Sequence, residues 1–139
     1  MKSAQGPRVV LDTNVLVSAL WTPRGNPSTI IGLMLSGKII PHFDYRIMAE
    51  YRNVLRRPKL SFPDNDVEEL LAEIEHYGLY VAVKPSSIPM IDETDRKFFD
   101  VAKACEAFLI TGNKRHYPQD SLVITPAEFI SDTYKSQCT

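Results

Sequence analysis

Short apolar runs alternate with longer amphipathic stretches along this chain. Arg8-Val9-Val10-Leu11 is a compact, β-branched run that predicts a buried strand. Thr13 to Leu20 suits a helix with Asp12 or Thr13 as its cap, broken by Pro23, Gly25 and Pro27. Pro27 and Ser28 suit the first turn of a second helix that runs to about Ser36 and closes at Gly37. Ile39 to Phe43 reads as a short strand, and Asp44 to about Arg57 as a helix capped by Asp44 and stopped by Pro58. A further helix spans Asp64 to His76 and ends at Gly78, followed by a strand over Leu79 to Val83. Asp92 to Cys105 reads as a helix, Phe108-Leu109-Ile110 and Leu122-Val123-Ile124 as strands, and Thr125-Pro126 as the opening of a final helix. Five short apolar strands separated by helices imply an α/β sandwich with a mostly parallel sheet. Ligands of such sheets bind beyond the carboxyl ends of the strands, near a topological switch point.

Length and composition narrow this picture. The 139 residues suit a single domain, with residues 1–7 expected as a flexible N-terminal extension and 136–139 as a frayed C-terminus. A (β/α)₈ barrel, at about 250 residues, is excluded. The 16 basic and 17 acidic residues give a net charge of -1, which excludes a strongly basic nucleic-acid scaffold but leaves room for a local basic patch. The two cysteines, Cys105 and Cys138, form no CxxC pair, so a disulfide framework or thiolate zinc site is not expected and a cytoplasmic, reducing setting fits. No segment approaches the roughly 20 apolar residues of a membrane span. The first apolar run stops at Asp12, too soon for a secretory signal.

Three acids stand where chemistry is expected. Asp12 follows the first strand directly and serves either as a helix cap or as a group in the crevice, with Thr13 and Asn14 beside it. Glu50 lies on the edge of the stripe made by Ile47, Tyr51, Val54 and Leu55. It reads either as a rim glutamate paired with Arg46, Arg52 or Arg57, or as a carboxylate facing a cation. Asp95 precedes Phe98, Phe99 and Ala102 at helical spacing, and it competes with a reading in which Asp92 and Asp95 form an acidic capping box. Asp92, Glu93 and Asp100 read as cap and surface residues. Thr111-Gly112-Asn113 places small polar groups after another strand. Converging carboxylates repel one another, a conflict that a divalent cation removes. Oxygen-only donors favour Mg²⁺ or Mn²⁺ over zinc.

These residues are the points at which the chain resembles the PIN-domain nucleases, in particular the VapC-like toxin branch. The matching segments are Val-Val-Leu-Asp-Thr-Asn-Val-Leu-Val-Ser-Ala (9–19), Glu50 to Lys59, Asp92 to Phe99, and Ile110 to Pro118, in family order and spanning nearly the whole chain. The resemblance implies a three-layer α/β sandwich with a four- or five-stranded parallel sheet, and metal-dependent hydrolysis of RNA phosphodiesters with Mg²⁺ or Mn²⁺ as cofactor. Asp12, Glu50 and Asp95 match the family's first three acids and would be both metal ligands and catalytic residues. The family often carries a fourth acid after Thr-Gly, where this chain has Asn113, a further expected catalytic residue whose carboxamide can still orient a water or ligate weakly but carries no charge. A cognate antitoxin protein and a homodimer are further implications.

RNA contact requires cations near the acids. Arg52, Arg56, Arg57 and Lys59 cluster at the end of the Glu50 helix, and Lys114 and Arg115 follow the Thr-Gly-Asn turn. Arg52, Arg56, Lys114 and Arg115 are the expected phosphate contacts, with Tyr117 stacking on an unpaired base. The competing reading is that cations at a helix end offset its dipole. His42 and His76 read as structural, Cys105 as a small core residue, and Trp21 either as core or as part of a dimer or antitoxin surface. A phosphotransferase of the haloacid-dehalogenase type would need an acid at position 14, which is Asn, and the acidic pair and lysine of a receiver domain are missing. The remaining alternative is a degenerate PIN-like module that binds RNA or a protein without cleaving.

Overall fold

Val9, Val10 and Leu11 have no exposed surface, because the strand that carries them, β1 (Arg8–Leu11), runs up the middle of the sheet with neighbours on both sides. The computed structural model describes residues 6–134, with side chains through residue 132. The elements are β1, α1 (Thr13–Trp21), α2 (Asn26–Leu35), β2 (Ile40–Phe43), α3 (Tyr45–Leu55), α4 (Asp64–Tyr77), β3 (Leu79–Tyr80), α5 (Arg96–Cys105), β4 (Phe108–Ile110) and β5 (Val123–Ile124). All five strands are parallel, in the order β3-β2-β1-β4-β5. Helices flank this sheet in the α/β sandwich that the alternating pattern predicts. Val9 pairs with Pro41 on one side and Phe108 on the other. The chain therefore steps from β1 to β2 in one direction and later returns to β4 in the other, so the switch point lies between β1 and β4.

Local chemistry explains most element boundaries. Asp44 caps α3 by accepting from the Ile47 amide at 3.0 Å. Gly37 takes a positive φ of 73° just after α2, a conformation that suits glycine. Gly78 has no room for a side chain: a Cβ would sit 2.5 Å from the Pro41 carbonyl, so α4 can turn tightly into β3 against β2.

Several boundaries differ from the pattern-based expectation. The strand expected over Leu79 to Val83 keeps only Leu79 and Tyr80 in register, because its partner β2 ends at Phe43. The helix expected from Asp92 starts as a separate 3₁₀ turn, Glu93–Asp95, with α5 following. The final helix is a single turn, Pro126–Glu128, held by a capping box between Thr125 and Glu128, and it gives way to a π-type turn at Phe129–Tyr134. Short 3₁₀ turns at Pro58–Leu60 and Lys114–His116 carry no periodic signal.

The core is the expected one in outline: Ile47, Tyr51 and Leu55 are buried on α3 and Phe98, Phe99 and Ala102 on α5. Trp21 is not core; it is 59% exposed and touches Phe62. Asp100, expected at the surface, is buried on α5. His42 is buried, with Nδ1 2.9 Å from the Ile40 carbonyl, and burial lowers its pKa, in keeping with a structural role. Of the expected N-terminal extension, Gly6 and Pro7 are described, and the Pro7 carbonyl accepts from the Ile40 amide at 3.0 Å. Residues 1–5, 136–139 and Cys138 lie outside the described residues. Among the described residues, no helix is long and apolar enough to cross a membrane.

Candidate active site

The carboxyl ends of β1 and β4 bring the first two components together. The Asp12 amide donates to the Ile110 carbonyl (3.0 Å) and the Thr111 amide to the Ile124 carbonyl (2.9 Å), so the ladder continues one residue past each strand. Asp12 and Thr111 therefore face each other at the switch point, and the Thr111 hydroxyl donates to Asp12 Oδ2 at 2.8 Å. Tyr117 donates to the same oxygen at 2.8 Å. Asp12 occupies the N-cap position of α1 without a side-chain capping bond, and its carboxylate is turned to Thr111 and Tyr117. Burial raises its pKa, the two hydroxyl donors pull it back down, and the nearby Glu50 charge raises it further. The amide of Asn14, the second residue of α1, also favours the charged form.

Tyr117 departs from the sequence expectation. Its ring is 4% exposed and its hydroxyl is spent on Asp12, so no face is left for stacking on a base. Burial and the Asp12 charge raise the phenol pKa, which keeps it a donor. Tyr117→Phe should cost about 2 kcal/mol of stability through the lost bond to a buried carboxylate, which thermal melting checks.

Glu50 comes from α3 and Asp95 from the turn before α5. Glu50 does not pair with Arg46, Arg52 or Arg57. Its Oε2 accepts from the Thr13 hydroxyl at 2.6 Å, and its Oε1 lies 2.7 Å from the Lys97 ammonium. Arg46 is engaged with Asp44 and, at 3.8 Å, with Asp100. Asp92 takes the capping role, accepting from the Thr94 amide and hydroxyl, and this frees Asp95, whose side chain makes no cap bond. Asp95 is 3.9 Å from His116 Nδ1. Burial, then the charges of Asp12 and Asp92, push its carboxyl up to about 6, against a small opposing effect of His116.

The pH consequence has a definite sign. A carboxyl whose folded pKa exceeds its unfolded value favours the fold when protonated. The Asp95 contribution is complete below the ordinary value of 3.8 and is lost as pH rises through about 6. In EDTA, Asp95→Asn should therefore melt above the wild type near neutrality, with the gap closing as the pH falls through that window. Comparison with the variant isolates this group from Asp92, Glu93, Asp120 and Glu128, whose lowered values act in the opposite direction.

Asn113 closes the cleft from the β4 side. Its amide donates to the Thr111 hydroxyl at 3.0 Å, and its carboxamide nitrogen is 3.2 Å from His116 Nε2. Asn14 accepts from the Gly112 amide at 3.1 Å, tying α1 to the same turn. The expected phosphate contacts sort into two kinds. Arg56 is ion-paired to Glu68 and Lys114 to Glu128, whereas Arg52 and Arg115 are exposed and have no partner among the described residues.

Sequence reasoning missed Lys97, and a signal was there to find. A lysine in the first turn of a helix opposes the helix dipole and asks for an acidic partner elsewhere. The Asp12 role of Tyr117 carries no comparable local signal.

The donors are carboxylate oxygens, the kind a hard divalent cation takes, and burial is the main cause of the raised Asp12 and Asp95 values. Among the described residues, no three His, Cys, Asp or Glu side chains form a ready-made metal cluster. Asp12 and Asp95 have carboxylate oxygens of the type such an ion takes, whereas Glu50 is occupied by Lys97 and Thr13.

A family model described as "PIN domain" matches residues 8–115. An uncharacterized protein of Methanocaldococcus jannaschii is 32% identical over 110 residues, covering 77% of this chain and 71% of the relative. No solved structure matches.

Proposed function

The chain belongs to the PIN-domain family, whose members are generally nucleases that use divalent metal ions, and from that premise we propose that it is a Mg²⁺- or Mn²⁺-dependent endoribonuclease of the VapC-like toxin branch. The observation that carries the reading is the drawing of Asp12, Glu50 and Asp95 from distant parts of the chain to one cleft, where Asp95 is raised to about 6 chiefly by burial and then by its acidic neighbours. A site built so that its carboxylates destabilise one another suits a cationic ligand.

When bound, a divalent ion supplies charge stabilisation at phosphorus and a nucleophile at neutral pH. Asp12 and Asp95 would hold it, in line with the one or two carboxylates that Mg²⁺ usually takes from a protein. Thr111 and Tyr117 fix the Asp12 carboxylate through Oδ2 and so set its orientation before substrate arrives. Lys97 holds Glu50 in the cleft, and Asn113 at its border has a carboxamide that would reach a phosphate oxygen. A groove of about 760 Å³ lined by Glu50, Asn53, Arg57, Glu93, Thr94 and Lys97 adjoins Glu50 and would give a single strand its path. Arg52, exposed on the helix that carries Glu50, and Arg115, which lines a separate groove, would add phosphate contacts. The same reading brings a cognate antitoxin protein over the cleft, a homodimer and a cytoplasmic location.

The test is cleavage of a panel of RNAs with Mg²⁺, Mn²⁺ or EDTA, comparing the native chain with Asp95→Ala. Cleavage should require the metal and fall at least about a hundredfold in the variant. Metal binding without cleavage of any RNA would instead favour a module that only binds.

A further inference from the structure

Lys97 is a lysine in an unusual place. It is the second residue of α5, in the first turn, where the helix dipole disfavours a cation. Lysine side chains ordinarily carry the ammonium out to water, yet this one is only 15% exposed. The ammonium lies 2.7 Å from Glu50 Oε1, donates to the Thr94 carbonyl, and stands 5.3 Å from the Phe98 ring centroid. Glu50 is held from the other side by Thr13 through Oε2. Both oxygens of one cleft acid are thereby engaged within the protein.

We propose that Lys97 is a resident counter-cation of the cleft, locked to Glu50, which restricts the site to one divalent ion at Asp12 and Asp95. The inference rests on the metal-dependent reading above and concerns how many ions that site takes. Of Asp12, Glu50 and Asp95, Glu50 is the one that Lys97 pairs with, which leaves Asp12 and Asp95 for a single divalent ion. A second ion would have to displace Lys97 from Glu50 and then sit beside its ammonium, an unfavourable like-charge contact in a partly buried site. Asn113, standing after Thr111-Gly112, adds no charge to attract it. Lys97 is thus a positioning residue for Glu50 and a fixed substitute for a second metal.

Calorimetric titration of Mn²⁺ into the full chain, cross-checked by electron paramagnetic resonance of free Mn²⁺, reads the number of ions directly. One ion per chain is expected for the wild type and for Lys97→Arg, and two for Lys97→Met and Lys97→Gln. Adding Glu50→Gln to Lys97→Met should abolish the second ion. Two ions in the wild type overturn the proposal whatever the variants do, as does one ion in folded Lys97→Met or Lys97→Gln. If either result comes with metal-dependent RNA cleavage intact, the Lys97 assignment fails alone. No Mn²⁺ bound by the wild type overturns the nuclease reading as well.

Discussion

Asp12→Asn should lose RNA cleavage by roughly a thousandfold or more while melting at or above the temperature of the native chain. The two effects have one cause. Asp12 is 7% exposed at the end of the central strand, and burial raises its pKa, so its charge is held against the preference of the fold. Asparagine fills the same volume, and its carbonyl still accepts from Thr111 and Tyr117, the two hydroxyls that reach Asp12 Oδ2 at 2.8 Å. What disappears is the negative charge that would hold a cation and orient it, and fixed charge of this kind accounts for a large part of catalysis at phosphorus. Cleavage rates with Mn²⁺ and a thermal melt in EDTA check the pair of expectations. Near-native activity in a folded variant would remove Asp12 from the catalytic machinery. A fall in melting temperature would show that Thr111 and Tyr117 need the charge and not only the acceptor.

Asp100→Ala should be the most destabilising change outside the apolar core, costing about 3 kcal/mol and lowering the melting temperature by roughly 10 °C. Asp100 is buried on α5, where its Oδ1 accepts from the Ser86 hydroxyl at 2.6 Å and its Oδ2 from the Ser86 amide at 3.1 Å. Arg96 also holds Ser86, through its carbonyl at 2.8 Å. These bonds pin the segment that leads into Asp92 and Asp95. Arg46 of α3 approaches Asp100 at 3.8 Å and Asp44 at 2.7 Å, and its buried Nη2 makes no well-angled hydrogen bond, so this cation depends on both carboxylates for charge. Alanine would leave the Ser86 amide and hydroxyl without their acceptor and remove the more distant of the two carboxylates beside Arg46. Asp100→Asn keeps an acceptor for Ser86 and should cost clearly less. Because α3 carries Glu50 and the pinned segment carries Asp95, cleavage should fall with stability in Asp100→Ala. Chemical denaturation together with the RNA assay reads both.

The site was legible in part because its acids interrupt strong local patterns. Asp12 stops a β-branched run, Glu50 sits on the rim of an apolar stripe, and Asp95 precedes Phe98 and Phe99 at helical spacing. Each of those anomalies is local, within one turn or one strand. The partners of these acids are not local. Thr13 meets Glu50 across 37 positions, Thr111 meets Asp12 across 99, and Tyr117 meets Asp12 across 105. Tyr117 looked like an exposed aromatic among Lys114, Arg115 and His116, and only the return of the chain beside β1 buries it. Asp100 failed for the same reason: its neighbours on α5 look like an amphipathic surface until the segment at Ser86 folds over them.

The alternation of apolar runs and helical stripes, by itself, determined the α/β class, the parallel sheet and the strand ends at which polar groups gather, because strand and helix periods are written in adjacent residues. Tertiary structure alone decided that Lys97 neutralises Glu50, that two hydroxyls from remote parts of the chain hold Asp12 Oδ2, and that Asp95 is left with a raised pKa. Those outcomes depend on desolvation and on distances between groups remote in the chain, and neither quantity exists until the sheet has closed around them.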